Sequence, residues 1–202
     1  MLESLLTWDL ELFHFINSSN HPFWDEFMFY ISERWTWIPA YIFCLYWVIK
    51  RENLKGMLLF VLAISLLIAF ADQITSGVMK PYFERFRPCR VEAALDFSVH
   101  IVRGHCGGKF GFASSHAANF FALATFLSYY FSQRKISWIL FSCASIVAFS
   151  RVYLGVHYPG DVIVGALIGI CGGHVISRLY FFAKDKAFNQ KIEGSHQHGK
   201  SH

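Results

Sequence analysis

The stretch MLLFVLAISLLIAFADQITSGV, residues 57–78, decides the fold of this chain. Apart from Asp72 and Gln73, which lie near its end, it carries no charged or amide side chain. About 20 consecutive apolar residues are enough for a helix to cross the roughly 30 Å hydrocarbon core of a bilayer. The stretch therefore predicts a helix that spans a membrane.

Four further apolar runs show the same pattern and predict further spans. They cover residues 35–49, 112–131, 136–154 and 161–182. The run at 35–49 is the shortest and is rich in aromatic residues. Together the five runs predict an all-α integral membrane protein, built as a bundle of about five transmembrane helices.

The region before these runs, residues 2–16, has a different pattern. Apolar residues share one side of a predicted helix, and acidic residues interrupt it: Leu6, Leu10 and Phe13 against Glu3, Asp9 and Glu11. This pattern is typical of an amphipathic helix that lies in the membrane interface instead of crossing it.

The composition agrees with a membrane protein and excludes other classes. The 202 residues are 54% hydrophobic and 16% charged, whereas soluble domains average about 25% charged residues. The apolar content excludes a globally disordered chain, and a net charge of +4 does not indicate nucleic-acid binding. We expect one domain over 1–182, with core motifs over 57–182, and a polar, disordered tail over 183–202.

Lysine and arginine residues between the runs indicate an orientation. They lie before residue 57, before residue 136 and in the tail: Lys50, Arg51, Lys55, Arg134, Lys135, Lys184 and Lys186. With five spans they fall on one side, which the positive-inside rule assigns to the cytoplasm. The long loop 80–111 then lies on the opposite side.

That loop contains two cysteines, Cys89 and Cys106. They can form a disulfide if the loop faces an oxidising compartment, and the sequence leaves their pairing open. A metal site made from this pair with His100 and His105 is less favoured, because the ligands are loosely spaced.

Three separated stretches, 80–88, 113–116 and 150–161, bring polar residues to one face of the predicted bundle. Guanidinium groups, an ammonium group and the N–H groups of a helix N-terminus are suitable ligands for a phosphoryl group. The predicted phosphate-binding residues are Lys80, Arg87, Ser114, Ser115 and Arg151.

A histidine and an aspartate in the last stretch predict the catalytic chemistry. Asp161 follows His157 by four residues across a Pro–Gly turn. An aspartate beside a histidine fixes its tautomer and stabilises the imidazolium, so His157 is the predicted nucleophile. His116, on another helix, is the predicted proton donor to the leaving oxygen.

These motifs, in this order, resemble the type 2 phosphatidic acid phosphatase (PAP2) superfamily. They read Lys80-x6-Arg87-Pro88, Ala113-Ser114-Ser115-His116 and Ser150-Arg151-x5-His157-x3-Asp161. The family's middle motif is usually Pro-Ser-Gly-His, so Ala113 and Ser115 depart from it. The Ser115 side chain either crowds the approach of phosphate to the backbone N–H groups or adds a hydroxyl donor.

The resemblance implies a two-step hydrolysis that uses no metal and no cofactor. His157 forms a phosphohistidine, His116 protonates the leaving group and then helps to activate water, and Asp161 orients His157. The implied setting is a bacterial inner membrane, with the site facing the periplasm. By analogy we rank undecaprenyl diphosphate first among substrates, with phosphatidylglycerophosphate, phosphatidic acid and lipid A phosphates as alternatives.

Two other classes share part of this pattern. A lipid transporter that only binds an anion would use the basic residues but would not need His157 and Asp161. A lipid phosphotransferase shares the nucleophile, so the sequence does not separate it from a hydrolase. The oligomeric state has no signal in the sequence.

Overall fold

The chain forms an all-helical fold. The computed structural model describes residues 2–91 and 95–198. The α-helices are α1 (Leu2–Ser18), α2 (Pro22–Ser32), α3 (Ile38–Arg51), α4 (Leu54–Asp72), α5 (Lys80–Phe83), α6 (Ser115–Phe131), α7 (Arg134–Tyr153) and α8 (Pro159–His198). A π-helical segment, Gln73–Met79, joins α4 to α5, and short 3-10 turns cover Arg34–Trp37, Pro88–Arg90 and Val102–Gly104.

Three helical segments of the described chain are long and apolar enough to cross a membrane: Leu54–Phe83, Arg134–Tyr153 and Pro159–Ala187. They contain the predicted spans 57–78, 136–154 and 161–182 almost entirely. α3 has 14 residues and α6 has 17, so both are shorter than these three segments. The all-helical membrane fold is confirmed, and the five-span count stays a prediction.

The packing of α6 against α8 forms the centre of the bundle, and α6 also contacts α4 and α7. Glycines of α8 make this close approach possible. A Cβ at Gly165, Gly169 or Gly173 would collide with backbone carbonyl oxygens of α6. Small residues let helix backbones approach closely in membrane proteins, so the glycines fix the position of α8 relative to the start of α6.

The N-terminal helix α1 packs onto the bundle through a buried face. Phe13 is fully buried, and its ring lies 5.3 Å from that of Tyr158. The side-chain amide of Asn17 is buried and donates to the carbonyls of Tyr153, at 2.8 Å, and His100, at 2.9 Å. These contacts attach α1 to the segment that joins α7 to α8.

The C-terminal helix α8 extends into residues 183–202, the predicted polar tail. α8 continues as a helix to His198, and residues 199–202 lie outside the described residues. The physical reason is local, because 183–187 read Ala-Lys-Asp-Lys-Ala and contain no proline or glycine to end a helix. Lys184 is also held by an ion pair with Glu52 at 2.6 Å.

Candidate active site

His157 and Asp161 form a buried pair at one end of the bundle. α7 ends at Tyr153, the chain turns at Gly155 with φ +74°, and α8 begins at Pro159. His157 Nδ1 consequently lies 3.3 Å from Asp161 Oδ2, which also accepts the Tyr158 N–H at 3.1 Å. Both side chains are almost completely buried, so the pair is shielded from bulk water.

The environment of His157 keeps its ring neutral. Burial lowers the pKa of His157 well below its ordinary value, and the nearby charges of Arg87 and Arg151 lower it further. With Nδ1–H directed at Asp161, the Nε2 atom carries the free lone pair. A neutral imidazole with a free Nε2 can act as a nucleophile.

Gly111 approaches this pair so closely that a side chain would not fit. A Cβ at this position would lie 2.9 Å from Asp161 Oδ2 and 3.5 Å from His157 Nδ1. The Gly111 N–H donates to the Arg85 carbonyl at 2.8 Å, which holds the segment in place. Gly111 could not be predicted as part of the site, because one glycine in a loop with several carries no distinguishing pattern.

Two buried arginines lie beside the histidine. Arg87 donates from Nε to the Phe110 carbonyl at 3.2 Å, and Arg151 donates from Nη1 to the Ser32 hydroxyl. Within the described chain, the Nε of Arg151 is buried and has no hydrogen-bond partner. Burying a guanidinium costs free energy unless it is paired, so the arrangement favours the binding of an anion.

Lys80 and Ser115 contact each other directly. Lys80 Nζ donates to Ser115 Oγ at 2.7 Å and to Ser76 Oγ at 2.9 Å. Thr75 Oγ1 also donates to Ser115 Oγ at 2.9 Å. Thr75 and Ser76 both lie in the π-helical segment Gln73–Met79. π-Helical segments often occur at functional sites. The Ser115 hydroxyl thus binds the ammonium group of Lys80, a contact that the sequence pattern does not predict.

Ser114 and His116 lie at the start of α6. Ser114 is fully buried and caps the helix, accepting the Ala117 N–H at 3.5 Å, and its own N–H donates to the Asp161 carbonyl at 2.9 Å. His116 is half-buried and close enough to Arg151 and His157 for electrostatic interaction. The second imidazole therefore lies near the first.

The structure thus brings all eight predicted site residues to one end of the bundle: Lys80, Arg87, Ser114, Ser115, His116, Arg151, His157 and Asp161. They come from α5, the following loop, the start of α6, the end of α7, the turn between α7 and α8, and the start of α8. Buried cations around a neutral nucleophile can bind a phosphoryl group and accept it.

A disulfide joins Cys89 to Cys106 in the loop beside the site, with a Cα–Cα distance of 5.8 Å. The Cys89 N–H donates to the Gly155 carbonyl at 3.2 Å, so the loop is attached to the turn that precedes His157. In the part of the chain that the structure describes, no group of three or more His, Cys, Asp or Glu residues could hold a metal ion.

Comparisons with known proteins show which family this chain is similar to. A model of the PAP2 superfamily matches residues 55–185. The chain is 42% identical over 183 residues to a lipid A 4'-phosphatase of Bacteroides thetaiotaomicron, covering 91% of this chain and 80% of that protein. It is 35% identical over 185 residues to a lipid A 4'-phosphatase of Porphyromonas gingivalis, covering 92% and 78%.

A solved structure agrees with these relatives. LpxE of Aquifex aeolicus is 32% identical and has a TM-score of 0.61, covering 84% of this chain and 94% of that one. The family match contains all three motifs, from Lys80 to Asp161, and these motifs meet at one buried site. The chain therefore belongs to the PAP2 superfamily and is a membrane lipid phosphatase.

Proposed function

We propose that the protein removes a phosphate group from lipid A by transferring it first to His157 and then to water. The observation that carries the proposal is a buried, neutral imidazole oriented by Asp161 beside Arg87 and Arg151. These groups match the needs of phosphoryl transfer, in which the cations bind the equatorial oxygens and the histidine attacks in line.

In the proposed first step, His157 Nε2 forms a bond to phosphorus and the ester P–O bond breaks. His116 donates its proton to the leaving sugar oxygen, so the dephosphorylated lipid leaves as an alcohol. In the second step, water attacks phosphorus, the P–N bond breaks and His116 takes the proton of the water. Inorganic phosphate is released, and Arg87 and Arg151 stabilise the charge in both steps.

The substrate part of the proposal comes from the relatives and replaces the ranking made from sequence. The two relatives reported above carry the name lipid A 4'-phosphatase, and each covers more than nine-tenths of this chain. Undecaprenyl diphosphate ranked first by analogy with small bacterial members of the family. Lipid A is favoured now, because these specific similarities outweigh a general analogy.

We also propose that α3 and α6 cross the membrane with the three longer segments, which gives five spans. α6 packs against α4, α7 and α8, and its 17 residues extend about 26 Å at 1.5 Å per residue. This topology places Lys50, Arg51, Arg134 and Lys135 in the cytoplasm. The site then faces the periplasm of a bacterial inner membrane, where a disulfide is stable, and α1 lies in the interface.

The decisive experiment compares substrates on purified protein. Phosphate release is measured side by side from lipid A, undecaprenyl diphosphate, phosphatidylglycerophosphate and phosphatidic acid in the same detergent. The proposal predicts the highest kcat/KM for lipid A and full activity in the presence of EDTA. A higher kcat/KM for undecaprenyl diphosphate would contradict the substrate, and loss of activity with EDTA would contradict the metal-free mechanism.

A further inference from the structure

One arginine bridges the catalytic aspartate to the N-terminal helix. Arg85 Nη1 donates to Asp161 Oδ1 at 2.8 Å, and Arg85 Nη2 donates to Asp9 Oδ2 at 2.5 Å. Asp161 is completely buried, and the side chains of Arg85 and Asp9 are 24% and 12% exposed. Arg85 thus contacts the carboxylate that orients His157 and a carboxylate of α1 at the same time.

Further contacts fix both Asp9 and Arg85. The other oxygen of Asp9, Oδ1, accepts the Gly160 N–H at 2.6 Å, next to Asp161 in the first turn of α8. The Arg85 guanidinium lies 4.1 Å from the ring centroid of Tyr158, the residue that follows His157. Asp9 therefore binds both the arginine and the backbone beside the catalytic pair.

The charges alternate along this chain of contacts. Asp161 accepts Arg85 through Oδ1 and faces His157 through Oδ2. If Asp9 did not occupy Nη2, the guanidinium could turn its whole fork onto Asp161, since arginine binds carboxylates in a bidentate manner. That bidentate geometry would draw Asp161 away from His157. Loss of the Asp9 carboxylate would also remove one of the two negative charges that pair with Arg85.

The position of Asp9 in the chain makes this contact unexpected. The family match begins at residue 55, so α1 lies outside it. Yet the predicted amphipathic helix contributes a carboxylate to the surroundings of the reaction centre. Its role as an interfacial helix does not account for a charged residue that faces the protein.

We propose that Asp9 is a positioning residue, which acts through Arg85 to hold Asp161 in the orientation that His157 requires. α1 is then a functional part of the active site. The inference rests on the proposed role of the His157–Asp161 pair and is independent of which lipid is the substrate. Asp9 does not touch the phosphate, so its loss changes kcat and leaves KM nearly constant.

The test uses Asp9→Asn in the full-length protein, with lipid A as the substrate. Asparagine keeps the shape of the side chain and an oxygen for the Gly160 N–H, but it loses the charge. We expect kcat to fall by about tenfold or more, because small displacements of catalytic groups have effects of this size. KM should stay within about twofold, and Asp9→Glu should recover part of kcat because it restores the charge.

A double-mutant cycle tests the coupling between the two residues. Arg85→Gln alone should lower kcat more than Asp9→Asn alone, and the double variant should be no worse than Arg85→Gln. Glu11→Gln is the matched control, since Glu11 is an exposed carboxylate of the same helix, and its kcat should equal that of the wild type. Additive losses in the cycle would contradict an action through Arg85.

Two further outcomes overturn the inference, and another concerns the proposed function itself. The inference fails if Asp9→Asn keeps the wild-type kcat, or if it raises KM as much as it lowers kcat. Should Asp9→Asn fail to fold, kcat is measured for Arg85→Lys instead, because lysine cannot bridge two carboxylates with a planar fork. A wild-type kcat in Arg85→Lys would then overturn the inference. If His157→Ala is still active in the same assay, the proposed function fails.

Discussion

The two ends of the helix bundle both contain buried charged groups, but they use them differently. At the end opposite the site, Glu52 accepts Lys184 Nζ at 2.6 Å and the Tyr130 hydroxyl at 2.9 Å. The ammonium group of Lys184 also lies 5.7 Å from the ring centroid of Tyr180. One carboxylate matches one ammonium, so the charges of this network balance.

At the site end the charges do not balance. Arg85 is matched by Asp9 and Asp161. Among the ion pairs of the described residues, none involves Lys80, Arg87 or Arg151. Buried charges without partners cost free energy. The balanced charges at the opposite end are sufficient for a role in the fold, whereas the unpaired cations at the site end favour the binding of an anion.

Replacing the proposed nucleophile, His157, should give the largest effect. We expect His157→Ala to lower kcat by at least about a thousandfold, because nucleophilic catalysis is lost as a unit. Phosphate release from lipid A measures it, and an unchanged thermal unfolding midpoint serves as the control for folding. An anion-binding transporter would keep its transport in this variant, so retained lipid movement without hydrolysis would favour that class.

Removing one of the unmatched cations should give the second largest effect. Arg87→Gln is expected to lower kcat/KM by about a hundredfold, since one charged ligand of the transition state is lost. The variant removes a buried positive charge, so its thermal stability without substrate should not fall by a comparable amount. If Arg87→Gln lost much of its thermal stability and kept full activity, the cations at the site end would have a structural role, like the charges at the opposite end.

A smaller effect is expected where the middle motif departs from the family pattern. Ser115→Gly restores the usual glycine but removes one of the two hydroxyls that hold Lys80. We expect a loss of about tenfold in kcat/KM, which corresponds to the lower end of the roughly 1.5–3 kcal/mol that a hydrogen bond to a charged group contributes, because Ser76 still accepts from Lys80. Ser115→Ala is the control, and equal losses in both variants would assign the effect to the hydroxyl.

The smallest effect on activity should come from the opposite end. Glu52→Gln leaves Lys184 without its carboxylate, and we expect about 1–2 kcal/mol lower stability, less than for a fully buried pair because Lys184 is partly exposed. Its kcat/KM should equal that of the wild type. The unfolding midpoint and phosphate release, measured on one preparation, separate the two effects, and a large loss of activity would contradict a purely structural role.

The motifs that predict the site residues are local, and the structure brings these residues to one end of the bundle. The spacing of His157 and Asp161 across one turn, and of Lys80 and Arg87, is visible in short motifs. The apolar runs likewise predicted the long helices. Asp9 could not be predicted, because its contacts to Arg85 and Gly160 join residues 76 and 151 positions apart and depend on how α1 packs.

Two other features were beyond the sequence for different physical reasons. The substrate could not be read from Arg87, Arg151 and His157, because every candidate lipid presents the same phosphoryl group to them. The helical continuation of α8 beyond residue 182 does not follow from the apolar pattern, because that pattern ends there. Lys184 instead combines good helix propensity with an ion pair to Glu52, and propensity and packing decide helix formation together.

The central claim is that the phosphoryl group is transferred to His157. The most direct measurement is rapid acid-free quenching of the protein during turnover of lipid A with a radiolabelled phosphate, followed by mapping of the labelled residue. The account predicts an acid-labile, base-stable phosphohistidine at residue 157 in the wild type and no label in His157→Ala. A label at another residue, or equal labelling of His157→Ala, would contradict it.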